Sequence, residues 1–230
     1  APRALCEILD GARGAVLRRL RRLEESAAAF RAAAQEARAL GWLTRAAASF
    51  GEAGASAYAR ADFATAISCC LERLAIEEER GDRRAQGVVH GNLGAVHSAS
   101  GSVAEARRHL DIALALSREA GDRAAEASAL VNLGAVFVST GENQGAEKAF
   151  LEALPLLEAL GDRAGQAGVL GNLGAVMWVN GELKCSFVQF EAVNMDPPRA
   201  APAMVPYFSA LFGGTMPMPG GAGLDDDDDA

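Results

Sequence analysis

The chain contains three histidines, and histidine is the side chain most often used for metal binding and proton transfer near neutral pH. His90 and His97 are seven residues apart, and His109 follows on the next predicted helix, so a cluster is geometrically conceivable. Histidine pairs that bind metal on one helix are typically four residues apart, not seven. We therefore interpret the three histidines as core or interface residues and predict no metal site.

The four cysteines, Cys6, Cys69, Cys70 and Cys185, form no metal-binding or redox spacing, and adjacent Cys69 and Cys70 are poorly placed to bond each other. No histidine lies in a recognisable motif with a nucleophile and an acidic partner. The sequence therefore predicts a non-enzymatic protein without a cofactor. A reducing compartment fits this cysteine usage, either the cytoplasm or, as the alternative, an organelle interior reached after removal of a targeting peptide.

The composition favours helices. The chain has 230 residues, of which 50% are hydrophobic but only 6% aromatic, and it is rich in alanine, the best helix former. The formal net charge is −8, and five of the negative charges lie in the run Asp225–Asp229, so no basic nucleic-acid surface is indicated. No apolar run approaches the roughly 18 residues of a membrane-spanning helix. We predict an all-α protein that binds neither nucleic acid nor the membrane interior.

A forty-residue period organises the chain. The tripeptide Asn-Leu-Gly begins at Asn92, Asn132 and Asn172, and the tripeptide Gly-Asp-Arg begins at Gly81, Gly121 and Gly161. A third glycine repeats at Gly101, Gly141 and Gly181, and weaker matches at Gly14, Gly41 and Gly54 extend the period backwards. Repeats of this length indicate helical hairpins that bury their apolar faces by stacking.

The spacing within each unit predicts two helices in close contact. In each unit, a small residue lies twelve positions after the Asn-Leu-Gly glycine or its equivalent in the earlier units, and an apolar residue lies sixteen positions after it. The small residues are Ser26, Ala66, Ala106, Ala146 and Ser186. The apolar residues are Phe30, Cys70, Leu110, Phe150 and Phe190. The first residue of each Gly-Asp-Arg fits a left-handed helix stop, and the aspartate fits the next N-cap. We predict a solenoid over residues 1–196, with units at about 1–40, 41–80, 81–120, 121–160 and 161–196.

These residues resemble the tetratricopeptide repeat. The resemblance rests on Leu-Gly in the first helix, a small residue after the hairpin-turn glycine, the following apolar residue, Ala113 or Ala153 after it, and Pro198 at the end. The forty-residue length is similar to the extended repeats of Pins-type adaptors, kinesin light chains and bacterial sensor proteins. The resemblance implies a right-handed α-solenoid of about five hairpins, whose first helices line a concave groove for a peptide or helix of a partner protein.

In the extended-repeat relatives, the asparagine of Asn-Leu-Gly faces the groove and bonds the ligand backbone. The resemblance therefore nominates Asn92, Asn132 and Asn172, with Glu52 and Ala12 at the equivalent positions of the earlier units. The other groove positions are small or apolar in units three to five, among them Val138 and Trp178. Such a groove suits an apolar or helical segment and lacks the basic clamp of chaperone-tail binders. The alternative is that the asparagines bond neighbouring helices and serve only the stacking.

Residues 197–230 differ in composition, being rich in proline and glycine and ending in the aspartate run, which indicates an extended or disordered tail. Its apolar part, with Tyr207, Phe208, Leu211 and Phe212, predicts a docking motif, a lid that folds back into the groove, or a cap over the last helix. The sequence as a whole predicts a protein-binding scaffold. One alternative is a stably bound subunit of a large complex, which includes complexes inside organelles. Another is a regulator in which the tail or a ligand changes the pitch of the superhelix.

Overall fold

The computed structural model describes the backbone of residues 2–179 and the side chains of residues 3–176. In this part the chain forms nine α-helices and no strand, so the all-α prediction is confirmed. The helices are α1 (Pro2–Arg19), α2 (Leu23–Ala39), α3 (Leu43–Tyr58), α4 (Phe63–Glu79), α5 (Arg83–Ala99), α6 (Val103–Ala120), α7 (Arg123–Ser139), α8 (Asn143–Ala159) and α9 (Arg163–Val179).

The helices stack in chain order. Each packs mainly against the helices before and after it, and α5 and α7 also touch each other directly. Because the connections between helices are short, successive helices reverse direction and form the hairpins α1–α2, α3–α4, α5–α6 and α7–α8, followed by α9. The described residues thus form an α-solenoid. The second half of the predicted fifth unit and the proposed tail lie outside the described residues.

The turns between hairpins have the predicted chemistry. Gly81, Gly121 and Gly161 adopt φ values of 66°, 65° and 69°, in the left-handed region that favours glycine. The carboxylate of the next residue, Asp82, then accepts a hydrogen bond from the backbone N–H of Ala85 at 2.9 Å. Asp122 and Asp162 make the same bond at 3.1 and 2.9 Å. These aspartates therefore satisfy N–H groups that the start of a helix leaves without a partner.

Glycine allows the two helices of a hairpin to approach closely. A Cβ atom on Gly94 would lie 2.5 Å from Cγ of Leu110, and one on Gly134 would lie 2.4 Å from the ring of Phe150. The small residues of the second helices, Ala106 and Ala146, are fully buried beside them. The predicted combination of a glycine, a small residue and a large apolar residue is thus the core of each hairpin.

Junctions between hairpins use the opposite side of the first helices. Val96 of α5 packs with Ala57 and Ala66 of the preceding hairpin. Val136 of α7 likewise packs on Ala106 and Leu110 of α6. Helices α5 and α7 therefore each bury one face inside their own hairpin and another against the hairpin before it. Among the described helices, none combines the length and the apolar character that a membrane span requires.

Candidate functional site

The structure places Asn92 and Asn132 at equivalent positions on the consecutive first helices α5 and α7. Each lies two residues before the close-contact glycine of its hairpin and next to a buried leucine, Leu93 or Leu133. Their side chains are only 1% and 4% exposed. The two amides are therefore held inside the solenoid by the same local packing.

Each of these amides has a buried polar atom without a hydrogen-bond partner. The atoms are Oδ1 of Asn92 and Nδ2 of Asn132. A buried polar group without a partner costs roughly 1–3 kcal/mol, and native proteins contain few of them. Two such groups at equivalent positions are therefore a candidate site for an external hydrogen-bond donor and acceptor.

Glu52, the equivalent residue on α3, belongs to a charged cleft. Its carboxylate accepts a hydrogen bond from Arg18 of α1. Nearby, the buried carboxylate of Glu7 lies 2.8 Å from the guanidinium of Arg45. Glu7, Arg45 and Glu52 line a cleft of about 290 Å³ between α1 and α3, together with apolar side chains that include Ile8. The first two hairpins therefore present paired charges where the later ones present asparagine.

Arg18 and Arg45 belong to this surface although they are not among the predicted site residues. Arg18 precedes Val138 by three repeat periods, so it occupies the position that we predicted to face the groove. The repeat register was therefore the signal that could have identified it. Trp42 packs beside the core of the first two hairpins, and the guanidinium of Arg45 lies 5.3 Å from its ring centroid.

The remaining predicted site residues lie towards the C-terminus. Val138 is half-buried against the core formed by α7, α8 and α9, and Asn172 is half-buried on α9. The backbone of Trp178 belongs to α9, but its side chain lies outside the described part. The predicted tail-docking residues also lie outside it: Tyr207, Phe208, Leu211 and Phe212.

The three histidines form a contact cluster inside the hairpin α5–α6. Nδ1 of His90 lies 2.9 Å from Nδ1 of His109, so one ring donates and the other accepts. The rings of His97 and His109 stack, with centroids 5.4 Å apart and planes at 8°. Nδ1 of His97 is buried without a partner. The histidines therefore occupy packing positions, as predicted. In the described part of the chain, no group of three or more His, Cys, Asp or Glu side chains is arranged to hold a metal ion.

Burial controls the protonation of this cluster. Burial is the largest of the causes that lower the pKa of His109 to about 4, and the neighbouring His90 and His97 and the Arg108 guanidinium act in the same direction. Burial also lowers the pKa of His90, against the opposing effect of Glu78. Near pH 7, His90 and His109 are therefore neutral, which fits a hydrogen bond between two imidazoles.

The described cysteines are free thiols with different surroundings. Cys6 is exposed on α1, whereas Cys69 and Cys70 are buried in α4. Burial raises the pKa of the Cys69 thiol to about 11 and that of Cys70 to about 12. Both are therefore protonated near neutral pH and lack the thiolate that a cysteine nucleophile requires.

Comparison with known proteins agrees with this architecture. Residues 84–159, which span most of α5–α8, match the family described as Tetratricopeptide repeat. No curated protein matches the sequence of the chain.

Several solved structures share the fold. BtubC (BKLC) from P. vanneervenii is 23% identical with a TM-score of 0.61, over 69% of this chain and 66% of that one. A Rap protein complexed with Competence and Sporulation Factor is 16% identical with a TM-score of 0.63, over 77% of this chain and 50% of that one. A putative kinesin light chain from Podosopora anserina, with nearly identical TPR-like repeats, is 16% identical with a TM-score of 0.60, over 75% of this chain and 87% of that one.

The helical hairpins and these neighbours define the class of the protein as an α-solenoid of two-helix repeats. Residues 84–159 match the tetratricopeptide repeat family, and the kinesin light chain neighbour shares the fold of the described helices. The sequence-based resemblance to this family is confirmed. The chain spans only about half to two thirds of the length of the Rap and BtubC structures.

Proposed function

We propose that this chain is a non-catalytic scaffold whose concave surface holds a segment of a partner protein. That surface is formed by the first helices α3, α5, α7 and α9. The observation behind the proposal is the pair of buried amide atoms without partners, on Asn92 and Asn132. A ligand backbone offers N–H and C=O groups at regular intervals, so it can satisfy an acceptor on one helix and a donor on the next.

The burial of the two asparagines requires a small movement on binding. Because α5 and α7 contact each other directly, a ligand backbone reaches Asn92 and Asn132 only when these helices separate slightly. The bound segment then stabilises the wider spacing through hydrogen bonds that the free chain does not make. This is a ligand-dependent change in superhelix pitch, and it is part of the same proposal.

The charged cleft suggests an orientation for the partner. Arg18, Arg45, Glu7 and Glu52 lie at the N-terminal end of the proposed groove, whereas Val131 and Val138 of α7 are apolar. A partner segment with apolar residues along most of its length and a polar or charged end matches this distribution. The charges in the cleft are already paired with each other. They therefore favour a ligand end that carries both a positive and a negative group over one that carries only a carboxylate.

The structural neighbours support a protein ligand. One of them, the Rap protein, was solved as a complex with Competence and Sporulation Factor. Since that likeness is at 16% identity, it supports the use of the fold for binding and does not identify the ligand of this chain.

The test replaces both asparagines by leucine, which has a similar size and no amide. The partner is recovered from the native source with the full chain, its bound segment is mapped, and its affinity is measured by calorimetry. For Asn92→Leu/Asn132→Leu we expect the affinity for the partner to fall tenfold or more, because each lost hydrogen bond costs about 1 kcal/mol of binding free energy. The melting temperature of the free chain should stay equal or rise, because two buried amides without partners are removed.

The matched control is Ser128→Ala. Ser128 is 4% exposed on α7, and its hydroxyl donates to the carbonyl of Ala124 in its own helix, 2.9 Å away. This change should leave the affinity unaltered. If the double leucine variant binds normally, the groove assignment is wrong. If it melts at a lower temperature, the asparagines serve the stacking of the helices.

A second candidate function is a stably bound subunit of a larger assembly. The observation that favours it is the apolar surface of α1, where several large side chains are exposed. In that case, purification from the native source would recover the same complex with the wild-type chain and with the asparagine variant.

A further inference from the structure

A cleft of about 340 Å³ lies between the second helices α2 and α4. Its apolar lining consists of the ring of Phe50, from α3, together with Ala39 and Cys69. Its polar lining consists of five side chains, Arg31, Gln35 and Arg38 of α2 and Ser68 and Glu72 of α4. Apolar walls with a few polar groups are typical of sites for small ligands.

Three of the five polar side chains are free to bind a ligand. Arg38 donates to the carboxylate of Glu72 at 3.0 Å, and this ion pair links the two helices across the cleft. In the described part of the chain, Arg31 pairs with no carboxylate, and the side chains of Gln35 and Ser68 make no hydrogen bond. A guanidinium, an amide and a hydroxyl can all donate hydrogen bonds, so the cleft favours a ligand that accepts them.

The charge of Arg31 lies close to the floor of the cleft. Burial raises the pKa of the Cys69 thiol to about 11, and the Arg31 guanidinium opposes this effect. The thiol is therefore neutral near pH 7 and does not balance the charge of Arg31. The lining contains two arginines and one glutamate, which gives it a net charge of +1. A ligand with a single negative charge matches this lining.

The cleft coincides with two small side chains. Forty residues later, the residue at the position of Ser68 is Arg108, and the residue at the position of Cys69 is His109. The ring of His109 is packed against the two other histidine rings of its hairpin. The first two hairpins therefore have space where the next hairpin has two larger residues.

We propose that the cleft between α2 and α4 binds a carboxylate with a compact apolar body. The carboxylate accepts hydrogen bonds from Arg31, and the apolar body packs on Phe50. A free acid and the C-terminal residue of a peptide share this chemistry. The site goes beyond the proposed groove, since Asn92 and Asn132 are on the first helices α5 and α7 and do not line it.

NMR titration of the full chain tests the proposal with three compounds. They are 3-phenylpropionate, N-acetyl-phenylalanine and N-acetyl-phenylalaninamide, of which the last lacks the carboxylate. We expect at least one of the two acids to shift amide signals of α2 and α4 with a dissociation constant of about 1–10 mM, as for other ligands of this size. The amide should cause no such shifts. Binding of 3-phenylpropionate alone indicates a free acid, and binding of N-acetyl-phenylalanine alone indicates a peptide C-terminus.

Two variants test the assignment of the cleft. Arg31→Met removes the charge and keeps a side chain of similar length, so the affinity for the acid should fall at least tenfold. Ser68→Phe adds a ring at the edge of the cleft without a charge and should also prevent binding. The matched control is Arg123→Met, because Arg123 is exposed on α7 and pairs with no carboxylate in the described part of the chain. This control and Asn92→Leu/Asn132→Leu should bind the acid as the wild type does.

Three results overturn the proposal. The first is that neither acid causes shifts in α2 and α4 up to about 20 mM, well above the expected dissociation constant. The second is that N-acetyl-phenylalaninamide binds as tightly as N-acetyl-phenylalanine. The third is that Arg31→Met, with unchanged helical circular dichroism, binds the acid as tightly as the wild type.

Discussion

The hairpins α5–α6 and α7–α8 have the same backbone plan and different interiors. In α5–α6, the contact between the helices contains His90, His97 and His109. Forty residues later, the equivalent positions hold Leu130, Phe137 and Ala149, in or beside an apolar core. One interface is polar and titratable, while the other is not.

The comparison shows which features this repeat requires. Both hairpins keep the turn glycine, the capping aspartate and the close-contact glycine, since these fix the backbone path. Some buried side chains also recur, such as Leu93 as Leu133 and Val96 as Val136, whereas the three histidine positions hold different residues. In this protein, backbone geometry is therefore set by a few small residues, and the chemistry of each interface varies around them.

The largest effect is expected from Gly134→Ala. The added methyl group would lie 2.4 Å from Cε1 of Phe150, a ring that is completely buried. Overpacking of this kind costs about 1–3 kcal/mol of unfolding free energy, more than the roughly 1 kcal/mol that alanine gains over glycine in a helix. Gly94→Ala should behave in the same way, despite the different interior of its hairpin. Denaturant unfolding monitored by circular dichroism measures both.

Gly54→Ala is the control for that comparison. Its nearest neighbour would be Cβ of Cys69 at 3.4 Å, an ordinary contact. We expect stability to be unchanged or higher by up to about 1 kcal/mol. Equal losses in all three variants would show that close approach is not the reason for glycine at these positions.

The histidine cluster should make one hairpin sensitive to pH. Because the pKa of His109 in the folded chain is about 4, below the ordinary histidine pKa of 6.5, the unfolded chain binds more protons between these values. The contribution of His109 to stability is fully present above pH 6.5 and is lost as pH falls towards 4. We expect the melting temperature to decrease from pH 7.5 to 4.5.

The matched variant replaces the cluster by the residues of the next hairpin, His90→Leu/His97→Phe/His109→Ala. Its melting temperature should vary less with pH over the same range, whatever its value at pH 7.5. A slope identical to that of the wild type would assign the pH dependence to other groups.

The smallest change in unfolding free energy is expected from substitutions at the N-termini of α7 and α8. Asp122 caps α7 through the N–H of Ala125 and also accepts from Arg84 at 2.6 Å, whereas Glu142 at the start of α8 makes no capping bond. Asp122→Ala should lower the unfolding free energy by about 1 kcal/mol. Glu142→Ala should change it by less than about 0.5 kcal/mol, since its bonds to Arg107 are on the surface. Thermal unfolding of the two variants side by side makes the comparison.

The fold could be predicted from sequence because its determinants are local and repeated. Gly81 and Asp82 act within a few residues of each other, and the same pair at Gly121 and Asp122 makes the assignment independent of any single match. The contact of Ala106 with the glycine side of α5 also follows from spacing alone, because a short turn fixes which positions of a hairpin face each other.

The candidate site was less accessible to this reasoning. The register gives the helix position of Asn92 but not its 1% exposure, which depends on the distance between α5 and α7. The pairing of Arg18 with Glu52 depends on the reach of two long side chains between hairpins. The mutual contact of the histidines depends on rotamers and on the spacing of two helices. Whether the asparagines bind a partner stays a prediction.

The stacking of helices in chain order has a consequence for how such a protein changes over generations. Each described hairpin makes its main contacts with its immediate neighbours, so the nine described helices have no central core that all of them share. Duplication or loss of a gene segment encoding forty residues adds or removes one layer and leaves the other layers as they were. The length of the protein is therefore a quantity that recombination can adjust in steps, without the redesign that a globular domain of the same size would need.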